Sequence, residues 1–344
     1  FSEYAYFSSY SRAWLDHACA YVDRIVPRLG LGRNSQVVEL GSNDGYLLQY
    51  FVEKAIPVLG IDPARNVAEA AIGKGVPTEV AFFGRETAAR LAADGTADLL
   101  IGNNVLAHVP ALNDFVAGLK IMLGPTGVLT MEFPHVLRLI DEAQFDTIYH
   151  EHFSYFSFIT ARRVLEAHAL RVFDVEEIAT HGGSLRIYAA HADDASHRET
   201  KRPSALAARE SEAGLAEAGT YVSFGEAVQQ AKRETLAYFI EAKREGKRIV
   251  GYGAPAKGNT FLNYCGIRTD FIDYTVDLSP HKQGLFLPGT HIPIKAPEEI
   301  RRTRPDLVFI LPWNIRDEIM EQMSFIRDWG GRFAVSSPQI EVSA

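Results

Sequence analysis

Four consecutive side chains that can exchange protons stand within IYHEHFSYFS, residues 148–157. They are Tyr149, His150, Glu151 and His152. Histidine titrates near neutral pH, and a neighbouring carboxylate can orient it and tune its pKa. If the segment is a strand, Tyr149 and Glu151 face one side and the two histidines face the other. The spacing does not match a helical zinc site and favours general acid–base chemistry, with a hydrogen-bonded surface loop as the competing interpretation.

A second group of polar residues belongs to VVELGSNDGYL, residues 37–47. Its pattern predicts a buried strand, a tight glycine turn and the start of a helix. Gly41 and Gly45 let a ligand approach the backbone closely, because glycine has no Cβ. Glu39 before the turn and Asp44 inside it would repel the diphosphate that a dinucleotide fold binds. The turn therefore favours an uncharged or cationic ligand that offers amine or hydroxyl donors.

S-adenosylmethionine fits this description, since it carries a sulfonium, an ammonium and a ribose diol. The next predicted strand, PVLGID, ends in Asp62. In such folds an acid at about this place accepts both ribose hydroxyls. A glycine turn alone could be an ordinary βα loop, but with both acids the sequence predicts a site for this cofactor.

Two further segments could line the same site. Residues 76–84, VPTEVAFFG, are interpreted as a strand ending in a phenylalanine pair that begins with Phe82. The pair could flank an adenine ring or pack in the core. Residues 96–109 begin with a buried strand that leaves Asn103 at its carboxyl end, where open α/β sheets bind ligands. His108 follows at the mouth of the same cleft, as a functional or a structural histidine.

The elements that must position these residues follow the order of an α/β protein. A helix over 11–30 precedes the first strand, and strands and helices then alternate, ending in a hairpin that would close a seven-stranded sheet. The composition becomes polar and alanine-rich further on. We therefore predict a first domain at 1–195, a helical linker at 196–246 and a smaller α/β domain at 247–344.

The C-terminal domain repeats the βα pattern with different charges. Its turn, GYGAPAKGN, contains no acid. Lys257, the glycine amides and a helix N-terminus, with Lys282 after the next strand, favour an anion such as a diphosphate. Ordinary packing is the competing interpretation. The two halves of the chain look like diverged relatives.

Composition limits the possible functions. The chain has 344 residues and a net charge of −8, without the basic stripe of a nucleic-acid-binding protein. No apolar stretch approaches the roughly 18 residues of a membrane span, and the first residues do not resemble a signal peptide. We expect a cytoplasmic protein, monomeric or weakly dimeric. Two separated cysteines, Cys19 and Cys265, exclude a cysteine-based zinc site and a disulfide framework within these residues.

Aromatic residues are concentrated in the first ten positions, among them Tyr4, Phe7 and Tyr10. They could fold over a ligand, or simply anchor the helix that follows.

Five segments, in this order, resemble the nucleotide-sugar C-methyltransferases of antibiotic deoxysugar pathways: ELGSNDGYL, GIDP, YHEHFSYFS, GGSLRIY and GYGAPAKGNTFLNYCG. The resemblance covers nearly the whole chain. It implies a Rossmann-like class I methyltransferase sheet with a second, smaller, doubly wound α/β domain. It also implies S-adenosylmethionine as cofactor and a keto-deoxysugar linked to thymidine diphosphate (dTDP) as substrate.

The resemblance implies that His152 is the general base. Tyr149, Glu151 and His108 would line the sugar site, and Tyr4 would reach it from the N-terminal segment. The residues assigned to the cofactor are Glu39, Gly41, Ser42, Asn43, Asp44, Gly45, Asp62, Phe82 and Asn103. Those assigned to the substrate are Lys257, Asn259, Lys282 and Arg186. Relatives carry an N-terminal four-cysteine zinc module; we expect no metal in this sequence, and zinc only if such a module lies outside it.

The expected reaction is methylation at a carbon next to the ketone of a 4-keto-6-deoxysugar, C3 being preferred over C5. His152 would remove the C–H proton and form an enolate. An O- or N-methyltransferase is the alternative within enzymes, since it needs a base but no ketone. A non-catalytic nucleotide-sugar binding protein is the alternative of another class, and the intact acid–base block argues against it.

Overall fold

The computed structural model describes residues 7–336 and 339–343. The chain divides into two compact units. The first comprises the described residues up to His135, Glu151–Ala179 and Gly183–Ala213. The second comprises Val136–His150, Thr180–Gly182 and the described residues from Gly214 onward.

The helices in chain order are α1 (Arg12–Leu29), α2 (Leu48–Glu53), α3 (Arg65–Gly73), α4 (Arg85–Ala92), α5 (Leu112–Met122), α6 (Val136–Asp141), α7 (Phe158–Glu166), α8 (Arg202–Glu212), α9 (Ala218–Arg244), α10 (Ala256–Cys265), α11 (Glu298–Thr303) and α12 (Arg316–Gln322). The strands are β1 (Val37–Leu40), β2 (Val58–Ile61), β3 (Thr78–Glu79), β4 (Ala97–Asn103), β5 (Leu123–Pro134), β6 (Leu170–Ile178), β7 (Ser184–His191), β8 (Ile249–Tyr252), β9 (Thr275–Val276), β10 (Ile294–Lys295), β11 (Leu307–Ile310), β12 (Arg332–Ser336) and β13 (Ile340–Ser343).

The first unit contains a seven-stranded sheet in the order β3-β2-β1-β4-β5-β7-β6. Six strands run in one direction, and β7 runs antiparallel to its two neighbours, β5 and β6. This confirms the predicted class I methyltransferase sheet with its antiparallel hairpin. The carboxyl ends of β1, β2 and β4 meet at one edge of such a sheet, which is where ligands bind in open α/β folds.

Both faces of this sheet are covered, which explains why its central strands are apolar throughout. Every residue of β1 is buried. Val37 packs into a core cluster with residues of α1 and α2, whereas Val38 packs into a cluster with residues of α5 and α7. A parallel strand covered on both sides needs apolar residues at successive positions rather than alternate ones.

The second unit contains a six-stranded sheet in the order β10-β9-β8-β11-β12-β13. All its pairings are parallel except that of β13 with β12. Residues of α9 and α10 pack against one face, and residues of α11 and α12 against the other. The predicted doubly wound second domain is therefore confirmed, although β10 and β13 were not anticipated.

Residues 148–157 do not form a strand, although a strand was considered in the sequence analysis. The segment forms turns and irregular backbone, and its one ladder contact is an isolated bridge between Phe156 and His135. The backbone N–H of Phe153 donates instead to the carbonyl of Ala107 at 2.8 Å. The two-sided alternation of side chains that a strand would impose therefore does not apply here.

The helical linker predicted at 196–246 is divided between the units, since α8 belongs to the first and α9 to the second. A buried carboxylate explains the place of α8. Glu210 accepts hydrogen bonds from Nε2–H of His135 at 2.6 Å and from the backbone N–H groups of Phe158 at 2.6 Å and Ile159 at 2.9 Å. Glu210 thus joins the end of β5 to the first turn of α7, where a carboxylate is favourable.

Among the residues that the structure describes, no helix combines the length and the apolar character needed to cross a membrane.

Replacing Glu210 tests this connection. Glu210→Ala leaves three donors, two of them buried, without an acceptor, so the free energy of unfolding should fall by about 2–4 kcal/mol. Urea unfolding followed by near-UV circular dichroism measures the change. Glu212→Ala, on the exposed side of the same helix, is the control and should shift stability by less than about 0.5 kcal/mol. Equal stability of the two variants would contradict the assigned role.

Candidate active site

The turn after β1 has the backbone that its two glycines predict. Gly41 and Gly45 have φ angles of 63° and 77°, in the left-handed region that favours glycine. A Cβ on Gly41 would lie 2.7 Å from Cγ2 of Val105, so the turn tolerates no side chain at that position. The N–H of Gly41 donates to the carbonyl of Ile61 at 2.8 Å, which ties the turn to the end of β2.

Asp62 follows β2, as predicted, and its carboxylate holds the turn. Oδ2 accepts from the backbone N–H of Asn43 at 2.9 Å, and Oδ1 accepts from the N–H of Ala64 at 2.8 Å. Burial raises the pKa of Asp62, and these two donors act in the opposite direction. The carboxylate is thus fixed beside the turn, in the position from which an acid binds a ribose diol.

Glu39 is completely buried on β1. Neither of its carboxylate oxygens accepts a hydrogen bond of normal geometry from the described part of the chain. Burial raises the pKa of Glu39 well above its usual value, the nearby Tyr46 hydroxyl lowers it, and the charges of Asp62 and Asp44 raise it further. A buried carboxylate in such surroundings is best satisfied by a cation.

Tyr46 is a component of the site that the sequence analysis did not identify. It is buried, and burial followed by the charge of Glu39 raises its pKa well above the usual range. Its hydroxyl is also close enough to the amide of Asn103 for that amide to lower the pKa. Both side-chain polar atoms of Asn103 are buried, and neither makes a hydrogen bond of normal geometry with the described residues. Only the position of Tyr46 directly after Gly45 could have indicated its role.

The N-terminal segment contacts the turn through its described residues. The N–H of Ser8 donates to Oδ1 of Asn43 at 2.9 Å, and the hydroxyl of Ser9 donates to Oδ2 of Asp44. The ammonium of Lys74 also reaches that oxygen, at 2.9 Å. The other oxygen of Asp44 is buried and has no partner among the described residues. Tyr4, predicted to reach the sugar site, lies outside the described residues.

Together these residues fit S-adenosylmethionine. Glu39 and Asp44 offer acceptors to cationic groups, and Asn103 offers one donor and one acceptor. The role of Asp62 as acceptor of the ribose diol stays a prediction. Ser42 adds a buried hydroxyl that has no partner in the described part of the chain. Within the described ranges, no group of three or more His, Cys, Asp or Glu side chains is arranged to hold a metal ion.

The phenylalanine pair after β3 is divided between two environments. Phe83 packs edge-on against Phe115, with ring centroids 5.5 Å apart, and therefore belongs to the core. Phe82 is 68% exposed, and its predicted contact with adenine stays a prediction. The strand predicted over 76–84 is reduced to the two residues of β3 at the edge of the sheet.

The structure brings two of the predicted acid–base residues together. His108 ends a short 3₁₀ turn beyond β4, and its ring lies 4.8 Å from that of His152 in an edge-to-face arrangement. Tyr155 packs edge-on against the other histidine, His152, at 5.9 Å. Burial lowers the pKa of His108, opposed in part by the backbone of Glu151. Burial thus favours the neutral form of His108. Tyr149 belongs to the second unit, and its place in this site stays a prediction.

Arg186 was expected to bind substrate, but its surroundings favour a structural role. It is completely buried on β7, directly opposite Glu132 of β5. Its Nε–H donates to Glu132 at 2.7 Å, and its Nη1 lies 3.3 Å from a carboxylate oxygen of Glu176. Glu132 also bonds Nε2 of His17 at 2.9 Å. These contacts give Arg186 a structural role among the described residues, and its predicted part in substrate binding stays a prediction.

The three substrate residues predicted in the second unit surround the turn between β8 and α10. Lys257 donates to Oδ1 of Asn314 at 2.8 Å, and its ammonium lies 4.4 Å from the ring centroid of Trp313. Removal from water lowers the pKa of Lys257 to about 8. Lys282 donates to the carbonyl of Ala254 at 3.1 Å.

Other contacts fix this cluster. Asn259 lies on α10 and bonds Asn263 of the next turn through its carbonyl and its side chain. The indole N–H of Trp313 donates to Asp146 at 2.7 Å. Burial raises the pKa of Asp146 to about 6.

Comparison with known proteins gives two kinds of match. Residues 12–174 match a family model described as a methyltransferase domain, and residues 179–338 match one described as a C-methyltransferase C-terminal domain. The C-methyltransferase NovU of Streptomyces niveus is 37% identical over 343 residues, which cover 99% of this chain and 81% of NovU.

Solved structures resemble about half of the chain. An S-adenosylmethionine-dependent methyltransferase from Clostridium acetobutylicum is 9% identical, covers 52% of this chain and 92% of its own, and has a TM-score of 0.42. Magnesium protoporphyrin IX methyltransferase from Synechocystis, with S-adenosylmethionine bound, is 16% identical, covers 52% of this chain and 81% of its own, and has a TM-score of 0.39.

Glu39 gives a test of the cofactor site. Because the pKa of Glu39 is raised in the folded protein, the cofactor-free protein loses stability as the pH rises from the usual glutamate pKa to the pKa in the folded state. Glu39→Gln removes this loss and should raise the free energy of unfolding of the cofactor-free protein near pH 8 by about 0.5–2 kcal/mol. Affinity for S-adenosylmethionine should fall, because the cation loses its partner. Thermal unfolding and titration calorimetry measure the two effects.

The pH dependence of cofactor binding provides a second test of Glu39. In the wild type, S-adenosylmethionine should bind more tightly as pH rises through the pKa of Glu39, because only the ionised carboxylate attracts the cation. The Gln variant should lack this dependence. Glu53→Gln, at an exposed position at the end of α2, should match the wild type in both measurements. An unchanged cofactor affinity in Glu39→Gln would contradict the assignment.

Proposed function

The chain belongs to the family of S-adenosylmethionine-dependent C-methyltransferases, and from this premise we propose that it methylates a carbon of a nucleotide-linked 4-keto-6-deoxysugar. The observation that carries the proposal is the packing of His108 against His152 just beyond the carboxyl end of β4. Carbon methylation needs a group that removes a proton from carbon, and a positioned histidine beside a ketone can do so. The thymidine nucleotide and the preference for C3 over C5 follow from the sequence resemblance.

In this proposal His152 removes the proton next to the ketone. A positioned base of this kind contributes roughly 10²–10⁴ in rate. The lowered pKa of His108 supports a role as a neutral donor to the enolate oxygen, worth roughly 10²–10³. The backbone bond from Phe153 to Ala107 supports the pairing, because it fixes the residue after His152 against the residue before His108.

When bound, S-adenosylmethionine supplies an electrophilic methyl group. Glu39, Asp44, Asp62 and Asn103 would hold it through its charged and hydroxyl groups. We assign none of these four residues as the base, because they lie around the turn after β1 and at the neighbouring strand ends, where the cofactor is placed. Donor binding and proton removal are therefore assigned to different residues, and a variant can disturb one without the other.

Hydrogen exchange into the sugar tests the proposed reaction. The enzyme is incubated in D₂O with dTDP-4-keto-6-deoxyglucose and S-adenosylhomocysteine, which fills the cofactor site but carries no methyl donor. We expect deuterium at a single carbon next to the ketone, identified by NMR and mass spectrometry. His152→Asn should slow the exchange by about 10²–10⁴. His150→Asn changes an exposed neighbour of the same type and should leave it unchanged.

Three results would overturn the proposal. Exchange at the background rate in the wild type, with S-adenosylhomocysteine bound, would exclude the carbanion route and favour O- or N-methylation, which requires no ketone. Equal exchange in the wild type and in His152→Asn would exclude His152 as the base. A protein that binds the nucleotide sugar but never releases S-adenosylhomocysteine would be a binding protein instead.

A further inference from the structure

The imidazole of His152 lies between two other rings of the first unit. The ring of His108 is 4.8 Å away at an interplanar angle of 72°, and the ring of Tyr155 is 5.9 Å away at 80°. Both contacts are close to perpendicular, which is an arrangement that aromatic rings favour. The first contact joins the two residues assigned to the reaction, whereas the reaction as proposed gives Tyr155 no role.

The direction of the His152 ring matters for its chemistry. Rotation about the Cβ–Cγ bond of a histidine has a broad energy profile, so an unrestrained imidazole points its nitrogens in many directions. A base that removes a proton from carbon must hold one nitrogen close to that hydrogen and aimed at it. Rings that stand upright against the imidazole restrict this rotation, and Tyr155 supplies one of them.

The backbone on the N-terminal side of Tyr155 is tied to the carboxyl end of the first sheet. The N–H groups of Phe153 and Ser154 donate to the carbonyl of Ala107 at 2.8 and 3.3 Å. Ala107 directly precedes His108 in the short 3₁₀ turn beyond β4. The loop that bears the proposed base and the turn that bears its partner therefore share one anchor.

The backbone on the C-terminal side of Tyr155 is anchored as well. Phe156 forms the isolated bridge with His135, which directly follows β5. Ser157 caps α7, since its side chain accepts from the N–H of Thr160 at 3.1 Å. Tyr155 thus stands between two fixed points, and its ring can serve as a rigid wall for a neighbouring side chain.

Burial separates Tyr155 from the aromatic residues that follow it. Phe156 and Phe158 are buried in the core of the first unit. Tyr155 is only half-buried. A half-buried ring set against a histidine fits a role at the site better than a role in core packing.

We propose that Tyr155 is a positioning residue for His152. Its aromatic ring restrains the imidazole so that one nitrogen stays directed at the carbon that loses its proton. The ring carries this role and the hydroxyl does not, because the contact with His152 joins the two rings. The inference rests on the proposed function, since it takes His152 as the base.

Two substitutions of Tyr155 separate the ring from the hydroxyl. Hydrogen exchange into dTDP-4-keto-6-deoxyglucose, with S-adenosylhomocysteine bound, should be about 10–100-fold slower at saturating sugar in Tyr155→Leu, because the base is less well aimed. Tyr155→Phe keeps the ring and should stay within about threefold of the wild type. The sugar concentration that gives half of the maximal rate should change less than about twofold in both variants, because neither loses a substrate contact.

Tyr221→Leu is the control for the loss of a tyrosine. Tyr221 lies on α9 with 46% of its surface exposed, and its replacement should leave the exchange rate unchanged. Titration calorimetry with S-adenosylhomocysteine establishes that each variant is folded. Exchange as slow in Tyr155→Phe as in Tyr155→Leu would assign the effect to the hydroxyl and overturn the proposal. Unchanged exchange in a folded Tyr155→Leu would overturn it as well.

The motion of the His152 ring gives a test that needs no turnover. The protein is labelled with ¹³C-histidine, and the signals of His152 are assigned by their loss in His152→Asn. NMR relaxation should show a rigid His152 ring in the wild type and in Tyr155→Phe, and lower order parameters in Tyr155→Leu. A mobile His152 ring in the wild type would overturn the proposal even if no variant of Tyr155 folds.

The two measurements separate this inference from its premise. If the wild type shows no exchange but Tyr155→Leu loosens the His152 ring, Tyr155 still positions the histidine and the proposed methylation fails. If the wild type and Tyr155→Leu exchange at the same rate, the proposed reaction stands and the role of Tyr155 fails.

Discussion

The first unit is organised around a carboxylate that is buried without a counter-charge. Glu39 lies in the middle of the sheet, and removing an ionised group from water costs several kcal/mol unless a cation or donors compensate it. The neighbouring groups do not supply that compensation, because Asp44 and Asp62 are acidic and Tyr46 gives only a nearby hydroxyl. A cationic ligand resolves the conflict. The fold thus accepts a local loss of stability at the point where the cofactor binds.

Much of the site could be predicted because its signals are local. A glycine turn after a strand, and an acid at the end of the next strand, are read directly from the sequence, and parallel topology brings them to one edge. The position of His108 near a strand end was recognised for the same reason. Its packing against His152 could not be derived, because it depends on Phe153 bonding a carbonyl 46 positions earlier, at Ala107, rather than a neighbouring strand.

The features that could not be predicted depend on distant partners. The ion pair of Arg186 could not be predicted, because it depends on the register of β7 on β5, which places Arg186 opposite Glu132. The polar composition around α8 indicated a linker, yet Glu210 is buried because His135 and the start of α7 provide its donors. Polar character predicts exposure only when no such partner exists.

The hydrogen bond from Ser8 to Asn43 makes residues before α1 contribute to cofactor affinity. It makes the segment before α1 a part of the wall around the cofactor turn, joined to it a second time through Ser9 and Asp44. Coupling between two sites is reciprocal, so the contacts of Ser8 and Ser9 with the turn and the binding of a ligand in the turn change each other's free energy by the same amount. A chimaera that receives its N-terminal segment from a relative would therefore receive part of that relative's cofactor affinity as well.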